Sequence, residues 1–200
     1  MLASLVLGIA IWATDAWADP SPEELPPNVV AVVSHVPVEL GTITAVEFHH
    51  ALVQAAAAEG RRSLPKPGGK KAEILRRNAL EERLDSIWVQ GQASEMRISV
   101  TSRQVSRALA LIKEESFRNR DEYRRFLKRY HYTRRDINER VELQLLATRI
   151  EERVVAGAGK HQLEAFEKFV EAYSKRWRAR TVCAPEYVID RCSNGPSPAP

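Results

Sequence analysis

The sequence predicts a mainly α-helical domain with a short β segment at its start and a closing C-terminal helix. Two observations carry this prediction. The chain has 200 residues, of which 44% are hydrophobic and only 9 are Gly and 11 Pro, a globular composition that favours helices. In addition, several segments with helical apolar spacing begin at a Thr or Asn followed three positions later by Glu, Gln or Asp, as in the capping box. The composition also excludes a chain that is disordered throughout.

The capping pattern predicts four helix starts, at Thr44, Thr101, Asn119 and Thr133, with the last helix reaching about Val155. A further helix is predicted over about residues 72–93. Its inner side carries a set of residues that we expect in the core: Ile74, Leu80, Leu84, Ile87, Trp88 and Gly91. The closing helix has an apolar stripe with coiled-coil-like steps of three and four. The stripe consists of Leu163, Phe166, Val170, Tyr173 and Trp177.

Non-helical segments flank and separate these helices. Residues 19–28 are rich in proline and predict an extended leader. The Val-rich run from Val29 to Val33 predicts a strand, and residues 40–43 predict a turn into a second short strand. Residues 60–71 contain two Pro and three Gly and predict a mobile linker, while residues 193–200 predict a disordered tail.

The first 18 residues form an apolar run that ends in Ala16-Trp17-Ala18. Small residues at the first and third of those positions fit a signal-peptidase site with cleavage after Ala18. The run from Leu2 to Ala13 is too short to span a bilayer. No Lys or Arg precedes this run, and a buried N-terminal helix is the alternative. We expect residues 1–18 to be a signal peptide and the mature chain to be extracytoplasmic: secreted, periplasmic or associated with the cell envelope.

The two cysteines, Cys183 and Cys192, lie close together near the C-terminus. In an exported chain, an even number of cysteines in one short segment predicts a disulfide. The nearest histidine is His161, and no second Cys or His pair stands at the spacing of metal ligands. We therefore expect a structural disulfide, within a closing segment of helix and loop over residues 161–192.

A series of short motifs runs through the predicted helices in a fixed order. It comprises Ile43-Thr44 before a helix with Phe48, then Ile98-Ser99-Val100 before Gln104-Val105, then Phe117, Tyr123 to Lys128, Thr133, Arg140-Val141 and Leu145-Leu146. In order and spacing, the run from Val29 to Val155 resembles the N-terminal chaperone domain of SurA and PrsA-type foldases. This resemblance implies a helical chaperone domain over residues 29–192 that binds unfolded polypeptides.

Members of that family also carry a parvulin peptidyl-prolyl isomerase domain between the long helix and the closing helix. Here only residues 156–160 lie between the two predicted helices, and so short a segment cannot hold a catalytic domain. The chain therefore resembles the chaperone module without its isomerase, and we expect no catalytic residue.

No sequence motif indicates a cofactor or a metal site. The sequence contains no phosphate-binding loop, no G-x-S-x-G, no H-E-x-x-H and no EF-hand string. His49 and His50 are adjacent, so on a helix their side chains point about 100° apart and cannot hold one metal ion. We expect neither a cofactor nor a metal.

Five aromatic residues are candidates for contacts with client polypeptides: Trp88, Tyr123, Phe126, Tyr130 and Tyr132. Four of them lie between Arg118 and Arg135, a segment with eight Lys or Arg residues against Asp121 and Glu122. Such a segment also suits a nucleic-acid face or a weak contact with anionic membrane or wall. At helical spacing, however, we expect the aromatic rings to face the core while the basic side chains extend outwards.

The expected function is that of an exported, ATP-independent chaperone, a holdase whose partners are unfolded or nascent exported polypeptides. We expect no nucleic-acid partner, because a net charge of +4 is modest for this length. Two alternatives remain. One is an isomerase-related foldase with residual or no isomerase activity, and the other is a basic surface-binding or structural interaction protein.

Overall fold

The computed structural model describes residues 25–196. The predictions for the signal peptide and its cleavage after Ala18, for most of the leader 19–28 and for residues 197–200 lie outside the described residues.

The described chain is mainly helical, as predicted. Its helices are α1 (Val38–Gly41), α2 (Ala45–Ala58), α3 (Lys70–Glu95), α4 (Ser102–Ser116), α5 (Arg120–Arg129), α6 (Arg134–Val155) and α7 (Gln162–Ala179). The predicted capping boxes form at Thr44, Thr101 and Thr133, where each hydroxyl accepts from the backbone N–H three residues on. Asn119 caps α5 through the N–H groups of Asp121 and Glu122. Within residues 25–196, no helix is long and apolar enough to cross a membrane.

Three short strands form one antiparallel sheet in the order β2–β1–β3. The sequence predicts β1 (Val29–Val33) and β2 (Thr42–Thr44), but it does not predict β3 (Thr181–Cys183). In the sheet Ala31 of β1 stands opposite Cys183 of β3. Strand β3 follows α7 directly, so the closing helix returns the chain to the strand with which the described fold begins.

The core lies between this sheet, α2, α3 and the C-terminal end of α7. Trp88 donates from Nε1 to Thr181 Oγ1 at 2.9 Å, and Trp177 donates from Nε1 to Gln92 Oε1 at 3.1 Å. Both indoles are therefore fully buried without an unsatisfied donor. Gly91 makes room for the second ring, because a Cβ at that position would lie 2.2 Å from Trp177 Cη2.

Cys183 and Cys192 form the predicted disulfide, with their Cα atoms 5.7 Å apart and both side chains buried. The sequence predicts a disordered tail from Ser193 onwards, but the residues just after the disulfide make ordered contacts. Ser193 N–H donates to Thr181 O at 2.7 Å, and Asn194 Nδ2 donates to Cys183 O at 2.9 Å. Backbone groups of β3 thus find their partners in residues of the predicted tail.

Three other predictions need correction. Helix α3 begins at Lys70, so the predicted linker 60–71 ends two residues early, and Ile74 is 38% exposed rather than on the inner side. The third concerns the apolar stripe of α7, whose coiled-coil-like spacing predicts one packed face; Leu163 is 71% and Val170 40% exposed. Phe169 packs inwards instead, against a cluster of α3 and α6 residues. The packed face of α7 therefore runs through Phe169, Tyr173 and Trp177 at steps of four.

Candidate functional site

One part of the molecule exposes most of its side chains. Residues 102–132 comprise α4, α5 and the turn after them, and we call them the arm; α4 packs along α6. We call the remaining described residues, 25–101 and 133–196, the body. Within residues 102–132, Val105 is the one buried side chain. The arm is thus held on the body by a small interface and exposes most of its side chains.

Aromatic rings hold the arm together. Phe117, which ends α4, lies 5.2 Å from both Tyr123 and Phe126 between ring centroids. Phe126 in turn lies 5.0 Å from Tyr130 and 5.8 Å from Tyr132. All five rings are half-buried. Helix α5 has only 10 residues, too few to be stable alone in water, and these ring contacts supply its tertiary support.

The structure brings four of the five predicted client-contact residues together, and it separates the fifth. Tyr123, Phe126, Tyr130 and Tyr132 all belong to the cluster in the arm. Trp88 is fully buried in the body core, where its indole donates to Thr181. A side chain with no exposed surface cannot contact a client in this conformation, so we exclude Trp88 from the candidate site.

A cleft of about 930 Å³ lies between α4, α5 and the start of α6. Its apolar lining comes from Leu109, Phe117, Tyr123 and Leu127, all of them half-buried. Ligand sites in proteins typically measure about 300–1,000 Å³, so this cleft is at the upper end of that range. The arm and the start of α6 therefore enclose a large open cavity with apolar side chains inside it.

Sequence reasoning did not single out three of these lining residues as contacts: Leu109, Phe117 and Leu127. Of the predicted aromatics, Tyr123 alone lines the described cleft. Leu109 and Leu127 stand at helical spacing with the other apolar residues of α4 and α5, a pattern that predicts packed residues. Their incomplete burial depends on how the two helices diverge, and spacing along one helix carries no information about that.

Charged side chains surround the apolar lining. The charged residues that line the cleft are Lys113, Glu114, Arg120, Arg124 and Arg134, and we call these five residues the rim. Arg124 pairs with Asp121, and the ammonium of Lys113 lies 4.5 Å from the centroid of the Tyr123 ring. The rim is predominantly cationic, and one of its cations covers part of an aromatic ring in the lining.

Tyr123 remains a neutral hydrogen-bond donor in this setting. Burial raises the pKa of the Tyr123 phenol, and the nearby positive charge of Arg134 opposes that effect only in part. Its hydroxyl is therefore protonated near neutral pH and can donate to a carbonyl or carboxylate of a bound molecule.

A polar cluster fixes the end of the arm to the body. Gln54 on α2 donates from Nε2 to Asp136 Oδ2 at 3.0 Å and to the carbonyl of His131 at 3.3 Å, and His50 Nε2 lies 3.1 Å from the same carboxylate oxygen. Burial acts to raise the pKa of Asp136, but hydrogen bonds from Thr133 and His50 outweigh it and hold that pKa below its ordinary value. The cluster therefore joins α2 to the first turn of α6.

The residues that line the cleft are partly apolar and partly charged. Its lining contains aliphatic and aromatic side chains and its rim contains guanidinium groups, an ammonium and one carboxylate. In residues 25–196, no group of three His, Cys, Asp or Glu side chains is arranged to hold a metal ion. The arrangement is suited to burying apolar side chains and to pairing with negative charge.

Comparison with models of protein families, with curated proteins and with solved structures finds no match for this chain. The resemblance of residues 29–155 to the chaperone domain of SurA and PrsA-type foldases therefore stays a prediction.

Proposed function

We propose that this protein is an ATP-independent holdase that binds unfolded or partly folded polypeptides outside the cytoplasm. The observation that carries the proposal is the cleft of about 930 Å³ between the arm and the start of α6, with its half-buried lining of Leu109, Phe117, Tyr123 and Leu127. Each apolar side chain that a client buries there is removed from water, which stabilises the complex by about 25 cal/mol per Å².

The looseness of the arm supports a broad choice of clients. Regions with few buried apolar contacts open locally at low free-energy cost, and binding loops and lids are drawn from such regions. The arm has one buried side chain in residues 102–132, so its helices can adjust to side chains of different size. Adaptable surfaces of this kind are typical of promiscuous binders.

Two features support a site of action outside the cytoplasm. The disulfide between Cys183 and Cys192 is of the kind that forms and persists in oxidising compartments. The apolar run before Ala18 has the pattern of a signal peptide. Together they favour a chaperone of secreted or envelope proteins.

Light scattering of a chemically denatured client, diluted into buffer with and without this protein, tests the proposal. We expect suppression of aggregation at stoichiometric ratio. Leu109→Ser places a hydroxyl in the apolar lining and should reduce suppression several-fold. Leu111→Ser on the same helix is the matched control, because Leu111 is 53% exposed and does not line the cleft.

Thermal unfolding followed by circular dichroism shows whether both variants remain folded at the assay temperature. The proposal fails if the wild-type protein does not suppress aggregation at stoichiometric or higher ratios. The assignment of the site to the cleft fails if the two serine variants, both folded, lose suppression equally.

A further inference from the structure

The cleft has an uneven charge distribution. Its charged lining comprises four cations, Lys113, Arg120, Arg124 and Arg134, against the single carboxylate of Glu114. Among residues 25–196, Arg124 is the one rim cation in an ion pair, and its partner is the exposed Asp121. The positive charges of Lys113, Arg120 and Arg134 are therefore not neutralised by an ion pair within the described chain.

The surroundings of the rim add to this field. The basic residues of the arm and of the first turn of α6 that lie outside the rim are Arg103, Arg107, Arg118, Arg125, Lys128, Arg129 and Arg135. The ion pairs within residues 25–196 include none of these side chains. The acidic residues of the same segment are Glu114, Glu115, Asp121, Glu122 and Asp136, so cations are in excess. A concave surface with an excess of one sign of charge concentrates ligands of the opposite sign.

We propose that the cleft selects client segments in which apolar side chains are flanked by Asp or Glu, and that it discriminates against segments flanked by Lys or Arg. The inference rests on the proposed holdase function and names the class of sequence that this function prefers. Apolar side chains of the segment fill the lining, and its carboxylates pair with the guanidinium groups of Arg120 and Arg134.

The lining favours a polypeptide over other polyanions. A nucleic acid or a polyphosphate satisfies the rim cations with its phosphates, but it offers no aliphatic groups to Leu109 and Leu127. Those side chains then stay in contact with water, and the apolar part of the binding free energy is lost. A peptide with alternating acidic and apolar residues satisfies both parts of the cleft at once.

Fluorescence anisotropy with three labelled peptides of one length and one apolar sequence tests the inference. The peptides carry Asp, Ser or Lys at the positions between the apolar residues. At low salt we expect the Asp peptide to bind at least about tenfold more tightly than the Lys peptide, with the Ser peptide between them. The ratio should shrink as salt is added, because exposed charges are screened.

The double variant Arg120→Gln/Arg134→Gln should bring the Asp and Lys peptides to within about threefold of each other, because the cations that discriminate between them are gone. Binding of the Ser peptide should stay near its wild-type value. The matched control is Arg103→Gln/Arg107→Gln, which removes the same charge from exposed positions of α4 that do not line the cleft. It should retain most of the preference for the Asp peptide.

Three results overturn the inference. The first is equal binding of the three peptides, and the second is an equal loss of preference for the Asp peptide in the two double variants. The third is full displacement of the labelled Asp peptide by a single-stranded oligonucleotide at the same concentration as the unlabelled Asp peptide requires. If aggregation is suppressed while any of these results is obtained, the charge preference fails and the holdase proposal stands. If the wild-type protein neither suppresses aggregation nor binds any of the peptides, both fail.

Discussion

The body and the arm use their arginines differently. In the body, guanidinium groups join elements that are distant in sequence: Arg83 pairs with Glu139 at 3.0 Å, and Arg191 pairs with Asp85 at 3.0 Å. In the arm, the one ion pair within residues 102–132 joins Arg124 to Asp121 on the same helix. These two body arginines thus make tertiary contacts, whereas the arginines of the arm other than Arg124 make no ion pair within the described residues.

The two core tryptophans of the body and the rings of the arm differ in burial. Trp88 and Trp177 of the body are fully buried and hydrogen-bonded. The five rings of the arm are half-buried and contact mainly one another. Sequence composition alone does not separate these two groups. What separates them is the amount of protein packed around each ring, and this difference supports the proposal that clients bind at the arm.

The largest expected effect is on the core of the body. Trp177→Ala removes a fully buried ring and a hydrogen bond to Gln92, and we expect it to lower the free energy of unfolding by about 3–5 kcal/mol. Tyr130→Ala in the arm should cost about 1 kcal/mol, because its ring is half-buried. Urea unfolding measures both, and equal losses would contradict the division into body and arm.

A smaller effect is expected from the disulfide. The double variant Cys183→Ser/Cys192→Ser should lose about 2–3 kcal/mol of stability, because the unfolded chain is no longer constrained by a loop of that size. At temperatures where the variant remains folded, suppression of aggregation should equal that of the wild type, since the disulfide lies in the body. A parallel loss of suppression in the folded variant would show that binding extends beyond the arm.

The smallest effect concerns the polar cluster that joins α2 to the first turn of α6, and it depends on pH. The pKa of Asp136 in the folded protein is held below its ordinary value. The ionised carboxylate therefore stabilises the fold fully above the unfolded-state pKa of about 3.9. This stabilisation is lost as the pH falls through the folded-state pKa. Asp136→Asn should cost about 1 kcal/mol at pH 7. The difference from wild type should shrink below about pH 4, as the wild-type carboxylate becomes protonated.

Asp121→Asn provides the matched comparison, because Asp121 also lies in the first turn of a helix but is exposed in the arm. It should cost a few tenths of a kcal/mol at most. Urea unfolding at pH 7, 5 and 3 measures both variants. A cost for Asp136→Asn that stays constant from pH 7 to pH 3 would contradict the role of its charge.

Local interactions explain what the sequence predicts well. The starts of α2, α4 and α6 follow from Thr44, Thr101 and Thr133, because a capping box involves residues only three positions apart. Strand β3 escapes prediction because Thr181–Cys183 is three residues long and is defined by its pairing with Val29–Val33. Such pairing depends on the tertiary path of the chain and leaves no periodic signal.

The candidate site illustrates the same division. The sequence indicates the aromatic and basic character of the segment from Arg118 to Arg135, but it does not separate Trp88 in the core from Tyr123 in the cleft. Both stand at helical spacing among apolar residues. The difference arises because β3 and α7 cover Trp88, whereas α4 and α5 leave Tyr123 half-exposed beside a cavity.

Site-specific photo-crosslinking tests the central claim, that clients bind in the arm, most directly. Arg120→benzoylphenylalanine places a photoreactive ring at the cleft, and Lys175→benzoylphenylalanine places the same ring on the exposed surface of α7 in the body. With a denatured client and ultraviolet light, we expect a covalent product from the first variant and little from the second. Equal products at the two positions, or a product at position 175 alone, would contradict the claim.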